Sequence, residues 1–318
     1  MSQQSRRAFL AQSLAGSALA LTSGGLLSAA PAEIAPEKAE MTIARWKGAQ
    51  TPRAEEIKDI AVKLTEQAID GLGGMKRFVK RGDVVWVKPN IGWDRAPELA
   101  GNTNPEVVKT LVRMCFDAGA KAVKIGDNPV HAAAKTYPAS GIVDAVKPLG
   151  AQMIFLDKNR FKDTAIGGER IKNLLLYPDI IDCDLVINVP IVKHHVLANA
   201  TICMKNYMGV MDNRAPFHQD FAACLADLTR FMKPRLCVLD AVRVLKDHGP
   251  SGGRPEDVAV RTTVAAGVDI VALDALGLEL LGKDPAETKK AAAILKNAQE
   301  VGLGKMNYRS LALRELTV

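Results

Sequence analysis

Closely spaced cysteines are missing from this 318-residue chain: its five, Cys115, Cys183, Cys203, Cys224 and Cys237, include no Cys-x-x-Cys pair. A ferredoxin-type iron–sulfur cluster draws on neighbouring thiolates, so it has no local support here. Cys115 and Cys224 fall in helical patterns and Cys237 in a strand pattern, where cysteine usually acts as a small buried hydrophobe. Aromatic residues make up only 5% of the chain, and no basic run interleaves with them. That excludes the usual signature of a nucleic-acid interface. Also absent is a run of about 20 strongly apolar residues, the length that a stable membrane-spanning helix requires.

What the chain does have is an informative start. Arg6-Arg7 stands ahead of Phe9-Leu10, and the stretch from Ala8 to Pro31 carries no charge. This is the pattern of a twin-arginine export signal. Gly16, Gly24 and Gly25 keep the stretch only mildly apolar, and Ser28-Ala29-Ala30 and Ala30-Pro31-Ala32 offer cleavage sites. The expectation is a protein carried folded to the periplasm by the twin-arginine (Tat) machinery, with no stable transmembrane helix after processing. Folding in a reducing compartment lowers the expectation of disulfides. The composition, 48% hydrophobic and 24% charged, predicts a globular core. The net charge is +7, of which Arg6 and Arg7 contribute two, and a mildly basic surface suits an anionic ligand.

Residues 1–32 read as the signal peptide, 33–55 as a polar tether broken by Pro36 and Pro52, and 56–318 as a single α/β domain. A helical pattern runs from Ala54 through Ile57, Ile60 and Leu64 to Ile69. The apolar run ending in Lys88-Pro89-Asn90 is a buried strand. Asn104 caps a helix with Pro105 in its first position, running to Asp117. Further strands are expected at 122–127, 152–156, 184–190, 235–240 and 269–273, and helices at 138–148, 218–232 and 286–300. This alternation predicts an α/β fold, a mainly parallel sheet with helices on both faces.

In such sheets ligands sit at the carboxyl ends of the strands. The polar residues there become the candidates: Lys88, Asn90, Asp127, Asn128, Lys193, His194, His195 and Asp240. The richest segment runs from Pro190 through Lys193-His194-His195 to Cys203-Met204-Lys205-Asn206. Two adjacent histidines cannot face one point from a regular strand, but from a loop they can. His194, His195 and Cys203 are thus candidate metal ligands, although their spacing matches no standard zinc pattern. Lys193 and Lys205, with Lys88, could clamp a phosphate or carboxylate. The loop His248–Pro255 contains Gly252 and Gly253, whose backbone amides could cradle an anion.

Several segments together resemble one family. They are Val87–Asn90, Asn102–Val108, Ile125–Asn128, Ile187–Pro190 with Lys193–His195, Met204–Gly209 and Val271–Ala275. The chain resembles the family known as domain of unknown function 362. The resemblance spans residues 85–283 and implies the fold. Members often carry a ferredoxin-like four-iron, four-sulfur module, whose cysteine run this sequence lacks. The combined expectation is an exported, redox-associated enzyme, an oxidoreductase holding a metal ion or anionic cofactor at the strand ends. His194, Lys193, Lys205 and Asp127 would act on the substrate, and Lys88, Asn90, Asn206, Gly252 and Gly253 would bind the cofactor. The alternative is a non-catalytic periplasmic binding protein for a small anion or metal.

Overall fold

The computed structural model describes residues 38–49 and 52–318. The expected signal, 1–32, lies outside the described residues. The first strands are β1 (Met41–Arg45), β2 (Val84–Pro89), β3 (Ala122–Ile125) and β4 (Gln152–Met153). A separate antiparallel pair, β5 (Lys162–Ala165) and β6 (Asn173–Leu176), follows. Then come β7 (Leu185–Val189), β8 (Ile191–His195), β9 (Asn199–Thr201), β10 (Leu236–Leu245), β11 (Val258–Gly267) and β12 (Leu313–Thr317). Ten strands share one sheet, ordered β12-β1-β11-β10-β7-β2-β3-β4, with β8 beside β10 and β9 beside β8. Pairing is mainly parallel. It turns antiparallel at β1–β11, β10–β11 and β8–β9.

Each sheet face carries its own apolar core, and β2 shows how. Val85 and Val87 join the cluster filled by Ile60 and Leu64 of helix Ala54–Gly71 and Val108 and Leu111 of helix Pro105–Asp117. Trp86, between them, points into the other cluster, with Leu228, Leu273 and Leu295 of the helices Phe221–Met232, Ile270–Leu280 and Lys289–Glu300. Side chains alternate across a strand, so a sheet covered twice needs an unbroken apolar run. The expected α/β fold, mainly parallel with helices on both faces, is what forms.

Three expectations need correction. The stretch 33–55 is not only a tether. Its residues Met41-Thr42-Ile43-Ala44 are buried as β1, paired antiparallel with β11 and parallel with β12. The run is short and set among prolines and charges, which hid its apolar character. Residues 269–273 start a helix rather than forming a strand: Asp269 accepts from Ala272 N at 2.9 Å as its N-cap, and the helix buries nearly every side chain. A fully buried helix has no polar face, so periodicity cannot separate it from a strand. Asp240 does not end a strand, because β10 continues to Leu245. Its carboxylate accepts from Asn104 N at 2.7 Å and Val242 N at 3.0 Å, fixing the start of helix Pro105–Asp117.

One carboxylate seats the short helix Cys203–Asn206, which carries three of the candidate residues, Cys203, Lys205 and Asn206. Asp274 is buried and accepts from Cys203 N at 2.5 Å and Met204 N at 3.1 Å, satisfying first-turn donors that would otherwise be orphaned. Asp274→Ala should cost about 1–3 kcal/mol, the penalty for leaving buried donors unsatisfied, in chemical denaturation against the native protein. A variant as stable as the native protein would show that the helix is seated by its apolar contacts alone.

Candidate functional site

The carboxyl ends of the adjacent parallel strands β7, β2 and β3 open into a cavity of about 450 Å³. Its floor is built from polar groups that satisfy one another. Lys88, fully buried near the end of β2, donates from Nζ to Asp127 Oδ1 at 2.7 Å and to the Pro89 carbonyl at 3.0 Å. The other oxygen of Asp127 accepts from Ile91 N at 2.8 Å. Burial drives the Lys88 amine below its usual value, and Asp127 opposes that shift. Gly209 packs against this pair so closely that a Cβ there would fall 1.7 Å from Asp127 Oδ1. The backbone can approach the carboxylate only without a side chain.

An amide relay ties the floor to the wall. Asn90 Oδ1 accepts from Lys193 Nζ at 2.9 Å, and Asn90 Nδ2 donates to Asn206 Oδ1 at 3.1 Å. Asn206 Nδ2 donates in turn to Asn188 Oδ1 at 2.8 Å and to the Lys88 carbonyl at 3.2 Å. Lys193 also donates to the Gly101 carbonyl at 2.8 Å. Every group in this relay has a partner, as buried polar groups require.

The cavity wall is cationic. Lys193, Lys205 and Arg214 all line it. Asp127, the lining carboxylate, is already committed to Lys88 and Ile91. Burial lowers the Lys193 amine to about 7, helped by the positive charge of Lys205. Burial likewise lowers Lys205 to about 7, helped by Arg214. Lys205 Nζ touches Met208 Sδ at 3.6 Å and sits 5.1 Å from the Phe221 ring centre. Both folded values lie below the unfolded ones, so the stability tied to these amines is present above about 10.5 and is lost as pH falls through about 7.

His195 also lines the cavity. Its Nδ1 accepts from Leu197 N at 3.1 Å and Ala198 N at 3.2 Å, which assigns the ring proton to Nε2. Burial first, then Lys205 and Lys193, lower its pKa to about 3, so the ring is neutral at physiological pH. The Thr201 hydroxyl is buried at the cavity with no hydrogen-bond partner. The site is therefore rich in donors and poor in free acceptors.

Of the residues expected from sequence, Asn90, Asp127, Asn128, Lys193, His195, Lys205 and Asn206 meet at this cavity, and Lys88 lies beneath them. The metal set is not brought together. The segment after Pro190 is a strand, not a loop, so Lys193 and His195 share a face with the paired Thr201 while His194 turns away. His194 Nδ1 accepts from Gly249 N at 3.1 Å and holds that loop. Cys203 is fully buried, and burial, with Cys237 and Asp274 nearby, pushes its thiol well above the ordinary value, so no thiolate is on offer. Gly252 and Gly253 do not line the cavity; Gly253 packs against Arg95 and Gly252 against Leu245, and the Gly252 carbonyl accepts from the Arg95 guanidinium at 3.4 Å. Among the described residues, the metal-competent trio is instead Asp247, His248 and Asp257, whose ligand atoms lie within 4.8 Å of one another. There His248 Nδ1 and Asp257 Oδ1 already pair at 2.8 Å.

Sequence reasoning missed Arg214 and Trp93. Arg214 follows a 3₁₀ turn and reaches back to the Met208 carbonyl at 3.0 Å and to the Asn128 carbonyl. No local pattern marks it. Trp93 was detectable, because it follows the Pro89-Asn90 strand end by a few residues.

The buried pair in the floor supplies a test. Removing one partner of a buried ion pair costs about 3–5 kcal/mol, because the other charge is left unpaired. Lys88→Met should lose stability on that scale in urea denaturation, and adding Asp127→Asn should restore more than half of it. A double variant no better than the single would show that the loss comes from packing.

Comparison with known proteins places the chain. It is similar to the thylakoid-associated protein sll1697 of Synechocystis sp., with 29% identity over 235 residues, covering 71% of each chain. The profile of one family, described as Domain of unknown function (DUF362), matches residues 85–279, from β2 through helix Ile270–Leu280, and takes in both floor and cationic wall. The chain belongs to that family.

Proposed function

We propose that this is an exported protein that binds a small anionic molecule at the strand ends and acts on it by proton transfer. The observation that carries the reading is the convergence of Lys193, Lys205 and Arg214 on one cavity whose lining carboxylate is already neutralised. Three cations beside one lining carboxylate that is itself paired with Lys88 are costly to hold together in a partly dry site. An oxyanion removes that cost, and the orphan Thr201 hydroxyl gives it a further donor. Lys193 and Lys205 titrate close to neutral pH, where a group both gives and takes a proton readily. In this scheme Lys205 and Arg214 hold the anion, Lys193 exchanges the proton, and neutral His195 offers Nε2–H as a donor.

The family's iron–sulfur module does not fit this donor set. The five cysteines are dispersed, and among the described residues Cys115 and Cys203 are buried with thiols pushed up by burial, Cys115 to about 12. The site's own residues supply charge and protons, so any electron transfer would belong to the bound molecule. A second reading, a binding protein without turnover, uses the same cations and differs only in whether Lys193 exchanges its proton with the ligand. Export rests on Arg6-Arg7 and the uncharged stretch behind them. The thylakoid association of the Synechocystis relative supports work beside a membrane.

Binding to the folded state stabilises by about 2.7 kcal/mol at a hundredfold excess over Kd. Phosphate, sulfate or a small dicarboxylate should therefore raise Tm by several degrees. Because the lysines bind anions in their protonated form, the rise with sulfate should be larger at about pH 6 than at about pH 9. Lys205→Met should lose most of it. Equal stabilisation of variant and native protein would assign the effect to general exclusion of the salt from the surface and overturn the reading.

Export has its own check. Replacing Arg6 and Arg7 together with lysine should leave the protein in the cytoplasm, scored by fractionation. An undiminished periplasmic yield would sink the twin-arginine assignment.

A further inference from the structure

The mouth of the cavity is apolar in a way its floor is not. Among the described residues, five large hydrophobic side chains are conspicuously exposed: Val130 at 57%, Phe155 at 51%, Leu175 at 40%, Val196 at 67% and Leu197 at 47%. Two have an evident setting. Phe155 stacks on Tyr137 with ring centres 4.5 Å apart, and Leu175 lies on the separate β5–β6 pair. The other three, from two distant parts of the chain, all line the cavity. Trp93 and Met208 continue the apolar surface inward. A bare oxyanion would leave that surface wet. A volume of about 450 Å³ lies within the range that holds a drug-sized ligand, well beyond what a single oxyanion occupies. Exposed apolar side chains gathered in one place mark a binding surface rather than ordinary scatter.

We propose that the ligand is an amphiphile, with an oxyanion head on Lys193, Lys205 and Arg214 and a hydrocarbon body lying along Trp93 and Met208 and leaving past Val130, Val196 and Leu197. This rests on the anion-binding reading and specifies its substrate class. The Thr201 hydroxyl stands beside Lys193 on the paired strand, so the head meets a donor as well as charge. The exposed apolar residues line the same cavity as the three cations, so one molecule can meet both, which fits a single amphiphile better than a bilayer.

The test is calorimetric titration of the full chain with inorganic phosphate, ethyl phosphate and monomeric octyl phosphate. Each methylene withdrawn from water is worth about 0.8 kcal/mol, or about fourfold in Kd. Octyl phosphate should bind at least about tenfold more tightly than ethyl phosphate, since burying two or three methylenes suffices. The double variant Val196→Ser/Leu197→Ser changes only exposed side chains, so folding is preserved. It should cut the octyl preference to below about threefold and leave ethyl phosphate unchanged, as loss of a few buried methylenes implies. Equal affinity for the two esters in the native protein would overturn the amphiphile while leaving the anion site standing. Failure of all three phosphates to bind would overturn both. A vesicle arm separates a pocketed molecule from a membrane contact. Phosphatidylglycerol vesicles that bind the native protein but not the Val196→Ser/Leu197→Ser variant, with octyl phosphate affinity the same in both, would show that the rim meets a bilayer, and would overturn the proposal.

Discussion

Lys88 has no route to water. Its ammonium is held only because Asp127 and the Pro89 carbonyl stand within hydrogen-bond reach, and Asp127 is held in turn by the Ile91 amide. The two residues come from the ends of neighbouring strands, so their attraction fixes how β2 and β3 finish relative to each other. Much else leans on it. Gly209 fits against the carboxylate because it carries no side chain, and its carbonyl takes the Asn128 amide at 2.9 Å. Tyr137 braces the backbone of Asp127 from behind, accepting from its amide at 2.9 Å while lying within 2.8 Å of its carbonyl. The pair spends most of Asp127's charge on Lys88, and so leaves the wall's three cations in excess over the acids that face them.

Those cations set stability against binding. A core filled only for stability would place apolar side chains where Lys193 and Lys205 lie. Instead two amines are drawn out of water without a carboxylate in hydrogen-bond reach, and their proton affinity falls until they are part-deprotonated near neutrality. Such local disagreement between a residue and its surroundings is where sites are found, since folding alone would not select it. Apart from the unpartnered Thr201 hydroxyl, the polar groups around the two amines show no such tension. The Asn90–Asn206–Asn188 relay satisfies its amides, and Asp240 and Asp274 are spent on backbone donors.

Much of the fold could be read from the chain because its strands are buried on both faces. Residues 84–87 and 185–187 are unbroken apolar runs, and the first delivers Lys88 and Asn90 at its carboxyl end, where they were to be expected. Asn104-Pro105 announces its helix by capping chemistry alone. Legibility failed where context overrides pattern. Lys193-His194-His195 reads as loop because it is polar, yet it pairs with β10 and β9, and alternation then exchanges the roles of the two histidines. Ile270–Leu280 lies so deep that no polar face betrays its helix. Arg214 reaches its site across the sheet end from a turn, and no spacing encodes such a reach.

β1 bears on when the sheet can be completed. Its hydrogen-bond partners are β11 on one side and β12 on the other, and Arg45 meets Glu315 across 270 positions of sequence. During synthesis this early strand has no neighbour to pair with until nearly all the intervening chain has been made. Closing so long a loop is entropically slow, and the unpaired edge stays open meanwhile. That edge of the sheet is therefore a record of completion: it exists only in molecules whose distant segments have already come together.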